Sequence, residues 1–310
     1  MSDPKRSKRR GRRSDVDSVP VAGLSMFDRV FLGMDEDGRR VEIELVYRNM
    51  LIGGEPGGGK SVALNNVVAH AAMSSDCRLW LFDGKQVELG LWADVAEVFV
   101  GNDITDALDR LRELQAKMDA RYAWLRRQRR RKIVRTDPVE LIVVVIDEVA
   151  YYSATVGRKQ DQEEFSRLLR DVVARGRAAG VIVIAATQRP SVDIIPTSLR
   201  DLFGYRMAFR CTTEISSDII LGHCWAKAGY DASKIAPEDL GVAWLRAEGG
   251  VPIRIKSALL IDAQIYGLVD YAAWLRTSHR RPDRNRSKDR PQDGPEDGPE
   301  DGPVAGPVVA

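Results

Sequence analysis

The stretch GEPGGGKS, residues 54–61, constrains the fold more than any other part of the chain. It matches the pattern G-x-x-x-x-G-K-S/T in full, follows the apolar segment 50–53 and precedes a helical pattern over 61–73. Glycines let backbone N–H groups turn towards phosphate oxygens, and a helix that starts there directs its positive dipole end at the same anion. The stretch therefore predicts a strand, a phosphate-binding loop and a helix, in that order.

ATP and Mg²⁺ are the cofactors that this loop predicts. The Lys60 ammonium can reach the β- and γ-phosphates, which makes it a candidate catalytic residue, and the Ser61 hydroxyl is a candidate metal ligand. The predicted nucleotide contacts are consecutive in the chain: Gly54, Glu55, Pro56, Gly57, Gly58, Gly59, Lys60, Ser61 and Val62.

A second apolar strand ends in two carboxylates. The run 141–146 is entirely Leu, Ile and Val, which is typical of a strand covered on both faces, and Asp147 and Glu148 follow it. Asp147 is predicted to bind the metal and Glu148 to accept a proton from the attacking water. An acidic pair that merely ends a strand is the alternative. The chain has no N-K-x-D motif, which argues against a GTP switch protein.

The segment VARGRAAGVIVIAATQRP, residues 173–190, joins a helix end to a third apolar strand. We predict that the Gln188 amide contacts the γ-phosphate or the water, with an ordinary polar strand end as the alternative. Arg175 and Arg177 fall in the last turn of the predicted helix 160–179. Cations stabilise the negative end of a helix dipole, so a structural role for both arginines is the simplest interpretation.

Apolar strands alternate with amphipathic helices through residues 20–276, which predicts an α/β, RecA-like P-loop NTPase with a mostly parallel central sheet and helices on both faces. Alternation around residues 35–38 predicts a small β-hairpin region before it. The basic segment 1–19 and the polar segment 277–310, with its Pro/Gly/acidic repeat, are predicted to be disordered tails.

The formal net charge of +2 conceals a cluster of seven cations and no anion in residues 126–135. Such a cluster predicts contact with nucleic acid, and a solvated basic surface is the alternative. The predicted DNA contacts are Arg126, Arg127, Arg129, Arg130, Arg131 and Lys132. Three scattered cysteines and no apolar run of membrane-spanning length predict a cytoplasmic location, with peripheral contact at the inner face of the membrane as a second option.

Four motifs together resemble the FtsK/SpoIIIE DNA translocases in order and spacing, and the resemblance spans roughly residues 50–260. They are GGEPGGGKS, LFDGKQVELGLW, IVVVIDEVAYY and RGRAAGVIVIAATQRPSVDII. Within that family the chain is most similar to the short Tra proteins that move plasmids or integrated elements between mycelial bacteria.

The resemblance implies an ATP-driven motor that moves double-stranded DNA in conjugative transfer, acting as a homo-oligomeric, hexameric ring. In such a ring Arg177 would reach the neighbour's ATP, with Arg175 as the competing candidate. Asp83, Lys85 and Glu88 would support the nucleotide site, and the tails could contact a membrane or transfer-machinery partner. The alternatives are polypeptide secretion, a single-stranded DNA coupling ATPase, and a DNA-binding protein whose affinity ATP controls.

Overall fold

One ten-stranded sheet runs through residues 23–279, the part of the chain that this computed structural model describes. The predicted tails 1–19 and, beyond His279, 280–310 lie outside the described residues. The strands are β1 (Val30–Asp35), β2 (Arg40–Ile43), β3 (Met50–Gly53), β4 (Cys77–Phe82), β5 (Val98–Val100), β6 (Leu141–Ile146), β7 (Val181–Thr187), β8 (Tyr205–Phe209), β9 (Val242–Ala247) and β10 (Ile253–Ser257). The α-helices are α1 (Lys60–Met73), α2 (Ile104–Arg127), α3 (Lys159–Gly176), α4 (Thr197–Arg200), α5 (Glu214–Leu221) and α6 (Asp262–His279).

The spatial order of the strands is β2-β1-β10-β9-β8-β3-β7-β6-β4-β5. The six strands from β8 to β5 are parallel, so all of their carboxyl ends lie at one edge of the sheet. The remaining pairs, from β8–β9 to β1–β2, are antiparallel. The predicted hairpin is confirmed as β1–β2, and β1 also pairs with β10, which joins the hairpin to the main sheet.

Two apolar cores, one on each face, bury the sheet. Alternate residues of β6 supply them: Leu141, Val143 and Val145 face one core, while Ile142, Val144 and Ile146 face the other. Helices α1 and α6 cover the first face, and α2 and α3 cover the second. Because both faces of β6 are buried, every residue of the run 141–146 is apolar, as expected for a strand covered on both sides. The predicted three-layer α/β fold is confirmed.

Some elements and boundaries differ from the sequence-based expectations. Strand β5 and helix α6 were not predicted, and α6 continues to His279, three residues past the expected limit at 276. Helix α3 ends at Gly176 instead of residue 179. A Cβ at Gly176 would lie 2.9 Å from the Val181 carbonyl oxygen, so the helix end packs against β7 at a distance that requires glycine. No described helix has the length and apolar character needed to cross a bilayer.

The buried Asn49 side chain fixes the end of α3 to the central strands. Its Nδ2 donates to the Val173 carbonyl at 2.9 Å, and its Oδ1 accepts from the Val183 N–H at 2.8 Å. Val173 lies in the last turn of α3, where carbonyls have no partner within the helix. One side chain thus satisfies a helix end and a strand at once, and it positions the turn that carries Arg175 and Arg177.

We predict that Asn49→Ala lowers the free energy of unfolding by about 2–5 kcal/mol, because it leaves two buried backbone groups without partners. Chemical denaturation of the purified protein measures this loss. Asn102→Ala, at an exposed position, is the matched control and should have little effect. A loss below about 1 kcal/mol for Asn49→Ala would show that neither hydrogen bond contributes net stability.

Candidate nucleotide site

The loop between β3 and α1 has the backbone shape that an anion site requires. Gly57 and Gly59 have φ values of +76° and +111°, a region that other residues rarely adopt. A Cβ on Gly59 would lie 2.6 Å from the Gly241 Cα atom, so close packing also requires glycine there. Gly59 is the N-cap of α1, and no side chain caps the helix. The Val62 N–H donates to the Gly59 carbonyl at 3.1 Å, whereas the N–H groups of Lys60 and Ser61 have no intrahelical acceptor.

Neighbouring strands brace this loop. The Glu55 N–H donates to the Arg210 carbonyl at 2.8 Å, and the Gly241 N–H donates to the Gly58 carbonyl at 3.2 Å. The Arg210 guanidinium also lies 3.3 Å from the Glu55 carboxylate. Arg210 follows β8 and Gly241 precedes β9, so the loop is held by strands far away in sequence. Motif reasoning missed both residues, because no local signal identifies them.

Two opposite charges are buried beside this loop. Lys60 is 3% exposed and Asp147 is 1% exposed. Burial lowers the pKa of the Lys60 ammonium, and the Asp147 and Glu148 charges oppose that shift. Burial raises the pKa of Asp147 to about 6, and the Lys60 charge opposes the shift in turn. The structure therefore places Lys60, after β3, and Asp147, after β6, close enough for each charge to affect the pKa of the other.

Neither carboxylate oxygen of Asp147 has a hydrogen-bond partner among the described residues. A buried carboxylate without donors is costly, whereas carboxylate and hydroxyl oxygens are ligands that Mg²⁺ accepts. Ser61 stands in the first turn of α1, at the same loop. The donor set of Asp147 and Ser61 thus fits a Mg²⁺ ion that accompanies a nucleotide triphosphate.

Glu148 is also buried, but its carboxylate is bonded to the protein. Its Oε1 accepts from the Thr187 hydroxyl at 2.8 Å and from the Ala150 N–H at 3.0 Å. Its Oε2 accepts from the Gln188 N–H at 2.6 Å. The structure thus brings Glu148 and Gln188 together, through the Gln188 backbone. Sequence reasoning did not identify Thr187.

Asp83 organises the segment that follows β4. It is fully buried, and its carboxylate accepts from the N–H groups of Lys85, Gln86 and Leu89 at 2.9–3.1 Å. Its charge also raises the pKa of Asp147, so it belongs to the same electrostatic environment. These contacts agree with a supporting role for Asp83. For Lys85 and Glu88 that role stays a prediction.

Arg175 and Arg177 lie at the opposite edge of the sheet from the loop of their own chain. Arg175 lies in the last turn of α3 and Arg177 is the C-cap, ahead of the start of β7, whereas the loop follows the end of the parallel strand β3. Arg177 donates from Nε to the Tyr47 carbonyl and lies 3.3 Å from the Glu248 carboxylate. Arg175 forms ion pairs with carboxylates of α2 and α3 at 2.7 and 2.9 Å. Neither guanidinium contacts the nucleotide site of its own chain.

The basic run lies at the same edge as Arg177, because the Ile133 N–H donates to the Ala178 carbonyl. Arg130 pairs with the buried Asp137 carboxylate, and the Lys132 ammonium lies 4.0 Å from the centre of the Tyr47 ring. The exposed cations of the run that have no ion pair among the described residues are Arg126, Arg127, Arg129, Arg131 and Lys132.

The FtsK/SpoIIIE family model matches residues 26–140. The DNA translocase FtsK of Treponema pallidum is 31% identical over 263 residues, which cover 79% of this chain and 31% of the relative. The chain carries an FtsK/SpoIIIE family domain. It spans about a third of the length of the curated relatives that it matches.

Solved structures show that this FtsK/SpoIIIE domain has a P-loop NTPase fold. The pCW3 conjugation coupling protein TcpA, solved with ATPγS, superposes with a TM-score of 0.68 at 20% identity, covering 81% of this chain and 71% of TcpA. The cytoplasmic domain of the Thermomonospora curvata type VII secretion ATPase EccC gives 0.63 at 20% identity, covering 80% of this chain and 31% of EccC. At these identities the likeness establishes the fold.

The raised pKa of Asp147 predicts that the free energy of unfolding of the metal-free, nucleotide-free protein depends on pH. Because the folded-state pKa of about 6 exceeds the ordinary 3.8, the folded protein binds this proton more tightly, and Asp147 lowers stability as pH rises through 6. The stability gained by Asp147→Asn should therefore be larger at pH 7.5 than at pH 4.5, by about 2 kcal/mol. Urea denaturation at the two pH values measures it. Equal effects at both would contradict the burial argument.

Proposed function

We propose that this FtsK/SpoIIIE domain hydrolyses ATP and uses the free energy to move double-stranded DNA. The observation that carries hydrolysis is the buried Asp147 carboxylate, which has no hydrogen-bond partner in residues 23–279 and shares the electrostatic environment of Lys60 at an uncapped helix start. Such a site is complementary to a metal-bound triphosphate and costly without one. The DNA part of the proposal is supported by relatives named DNA translocase FtsK.

Each residue then has a distinct task. The glycine loop and the first turn of α1 bind phosphate oxygens, Lys60 neutralises charge on the β- and γ-phosphates, and Ser61 and Asp147 hold Mg²⁺. When bound, Mg²⁺ supplies positive charge to the phosphates that transfer. Glu148 takes a proton from the attacking water, and the Gln188 side chain senses the γ-phosphate.

Assembly into a ring would complete the site. Four exposed apolar side chains lie in segments that flank the nucleotide loop at its edge of the sheet, namely Val87, Val192, Ile215 and Leu240. Exposed apolar residues grouped around a site favour coverage by another protein surface. Arg177 is about 40% exposed at the opposite edge, so a second copy could present it to this site. We propose a homo-oligomer, a hexameric ring when bound to DNA, with Arg177 acting in trans.

The exposed arginines of the basic run are the proposed duplex contact. They bind phosphates without reading sequence, which suits a motor that moves along any DNA. Conjugative transfer of a plasmid or integrative element is supported by the structural likeness to the coupling protein TcpA. The likeness to EccC favours a second candidate, an ATPase that drives polypeptide secretion. A single-stranded DNA coupling ATPase is the third.

We predict that double-stranded DNA strongly stimulates ATP turnover, and that single-stranded DNA and peptides do not. Steady-state phosphate release with each polymer, or with none, measures this. Lys60→Ala and Asp147→Ala should abolish turnover in every condition. If duplex DNA has no effect while single strands or peptides stimulate, the translocase proposal is wrong and the corresponding alternative is supported.

In the same assay Arg129→Ala/Arg131→Ala should weaken the response to duplex DNA. Its matched control, Lys159→Ala/Lys227→Ala, removes the same charge from exposed positions outside the run and should retain the response. Since phosphate contacts release counterions, the wild-type affinity should fall steeply between roughly 50 and 200 mM salt. A flat response would remove the basic run from the DNA path.

Arg177→Ala should lower ATP turnover by roughly 10³–10⁵ and leave ATP binding intact, because the guanidinium stabilises charge only in the transition state. Activity should return when this variant is mixed with the inactive Glu148→Gln protein, which still carries Arg177. Turnover of the mixture, compared with each variant alone, measures the complementation.

Arg175→Ala is the matched control, because its guanidinium is bound to acidic residues of its own chain. It should keep turnover in isolation. Complementation that fails for Arg177→Ala and succeeds for an inactive Arg175→Ala would identify Arg175 as the residue that acts in trans.

A further inference from the structure

The Glu148 carboxylate is already bound on both of its oxygens. Three donors of the same chain occupy it: the Thr187 hydroxyl at 2.8 Å, the Ala150 N–H at 3.0 Å and the Gln188 N–H at 2.6 Å. A carboxylate offers about four lone-pair sites, so three of them are filled. The preceding residue, Asp147, is also buried but accepts no hydrogen bond from the described residues. Two adjacent carboxylates are thus prepared in opposite ways.

A general base must bring an oxygen within hydrogen-bond distance of the proton that it abstracts. The Thr187 and Gln188 donors both belong to the end of β7, and together they hold both Glu148 oxygens towards that strand. One lone pair, on Oε2, stays free, but these bonds fix its direction, so Glu148 has to give up at least one of them to turn that oxygen towards a water elsewhere. Thr187 supplies the only side-chain donor of the three, so substitution can remove this bond alone.

The Thr187 hydroxyl also connects Glu148 to the segment 188–195. While it donates to Glu148, its oxygen accepts from the Arg189 N–H at 3.0 Å. Further along, the Ser191 N–H donates to the Arg189 carbonyl and the Ile195 N–H to the Ser191 carbonyl, at 2.8 and 2.9 Å. The segment is a hydrogen-bonded unit with an exposed apolar residue, Val192, at its tip. A shift of this unit changes the bonds that hold the Thr187 hydroxyl and the Gln188 N–H.

We propose that Thr187 is a positioning residue, which restrains Glu148 in the resting protein and links its release to movement of the segment 188–195. The inference rests on the proposed function, since it assumes ATP hydrolysis with Glu148 as the base. A purely structural Thr187 would satisfy a buried carboxylate and nothing more. In that case, loss of the hydroxyl should lower turnover or leave it unchanged.

The test is Thr187→Val, which keeps the side-chain shape and removes the hydroxyl. Steady-state ATP turnover is measured with and without duplex DNA, together with KM for ATP. We expect turnover without DNA to rise about tenfold, the factor that corresponds to loss of one hydrogen bond at the low end of those made to charged groups. KM should change little, and the ratio of DNA-stimulated to basal turnover should fall by the same factor. Thr187→Ser keeps the hydroxyl and should restore the wild-type ratio.

The inference is overturned if Thr187→Val lowers turnover without DNA or leaves it unchanged, or if the ratio of DNA-stimulated to basal turnover does not fall. Mg²⁺-dependent binding of a fluorescent ATP analogue, which does not need Glu148, confirms that each variant is folded. Should the valine protein not fold, Thr187→Ala provides a second hydroxyl-free variant. A wild-type protein without ATP turnover would contradict the proposed function itself. A stimulated wild type with an unaffected valine variant would contradict this inference alone.

Discussion

The burial of two opposite charges at one edge of the sheet is the constraint on which the rest of the site depends. Lys60 and Asp147 both lose hydration, and each reduces the pKa shift of the other. A buried pair of this kind stabilises a fold weakly, so its cost has to be offset by apolar burial elsewhere. The two cores that cover the sheet supply that burial. Because the fold holds the charges in place, their polar atoms are free for a nucleotide and a metal.

The sequence was sufficient to predict the central strands and the glycine loop, because unbroken apolar runs determine the strands and a local motif determines the loop. It was insufficient where geometry depends on pairing between distant segments. In the parallel register of β6 and β7, Ile146 lies opposite Ala185. Continued by two residues, the same register places Glu148 beside Thr187. No local pattern contains that register. Strand β5, only three residues long, and the weakly amphipathic α6 also lack a strong periodic signal, which is why both were missed.

The parallel strands place the glycine loop and Arg177 at opposite edges of the sheet. The nucleotide loop lies at the carboxyl edge, and Arg177 lies with the basic run at the amino edge. Tyr47 joins the latter two: its carbonyl accepts from Arg177, its hydroxyl donates to the Ile133 carbonyl, and its ring contacts Lys132. Tyr47 has a φ of +65°, a conformation that costs on the order of 1–3 kcal/mol in a residue other than glycine. These contacts hold that conformation, so Arg177 and the basic run form one connected unit.

The end of β6 places two carboxylates in different surroundings. Asp147 and Glu148 are consecutive carboxylates of similar burial. Donors at the end of β7 reach only Glu148, so its charge is compensated by the protein, whereas Asp147 keeps its oxygens free beside the glycine loop. Residue type alone therefore does not determine which of the two carboxylates is bonded by the protein. The distinction comes from the strand register and from the N–H and O–H groups that the register brings within reach.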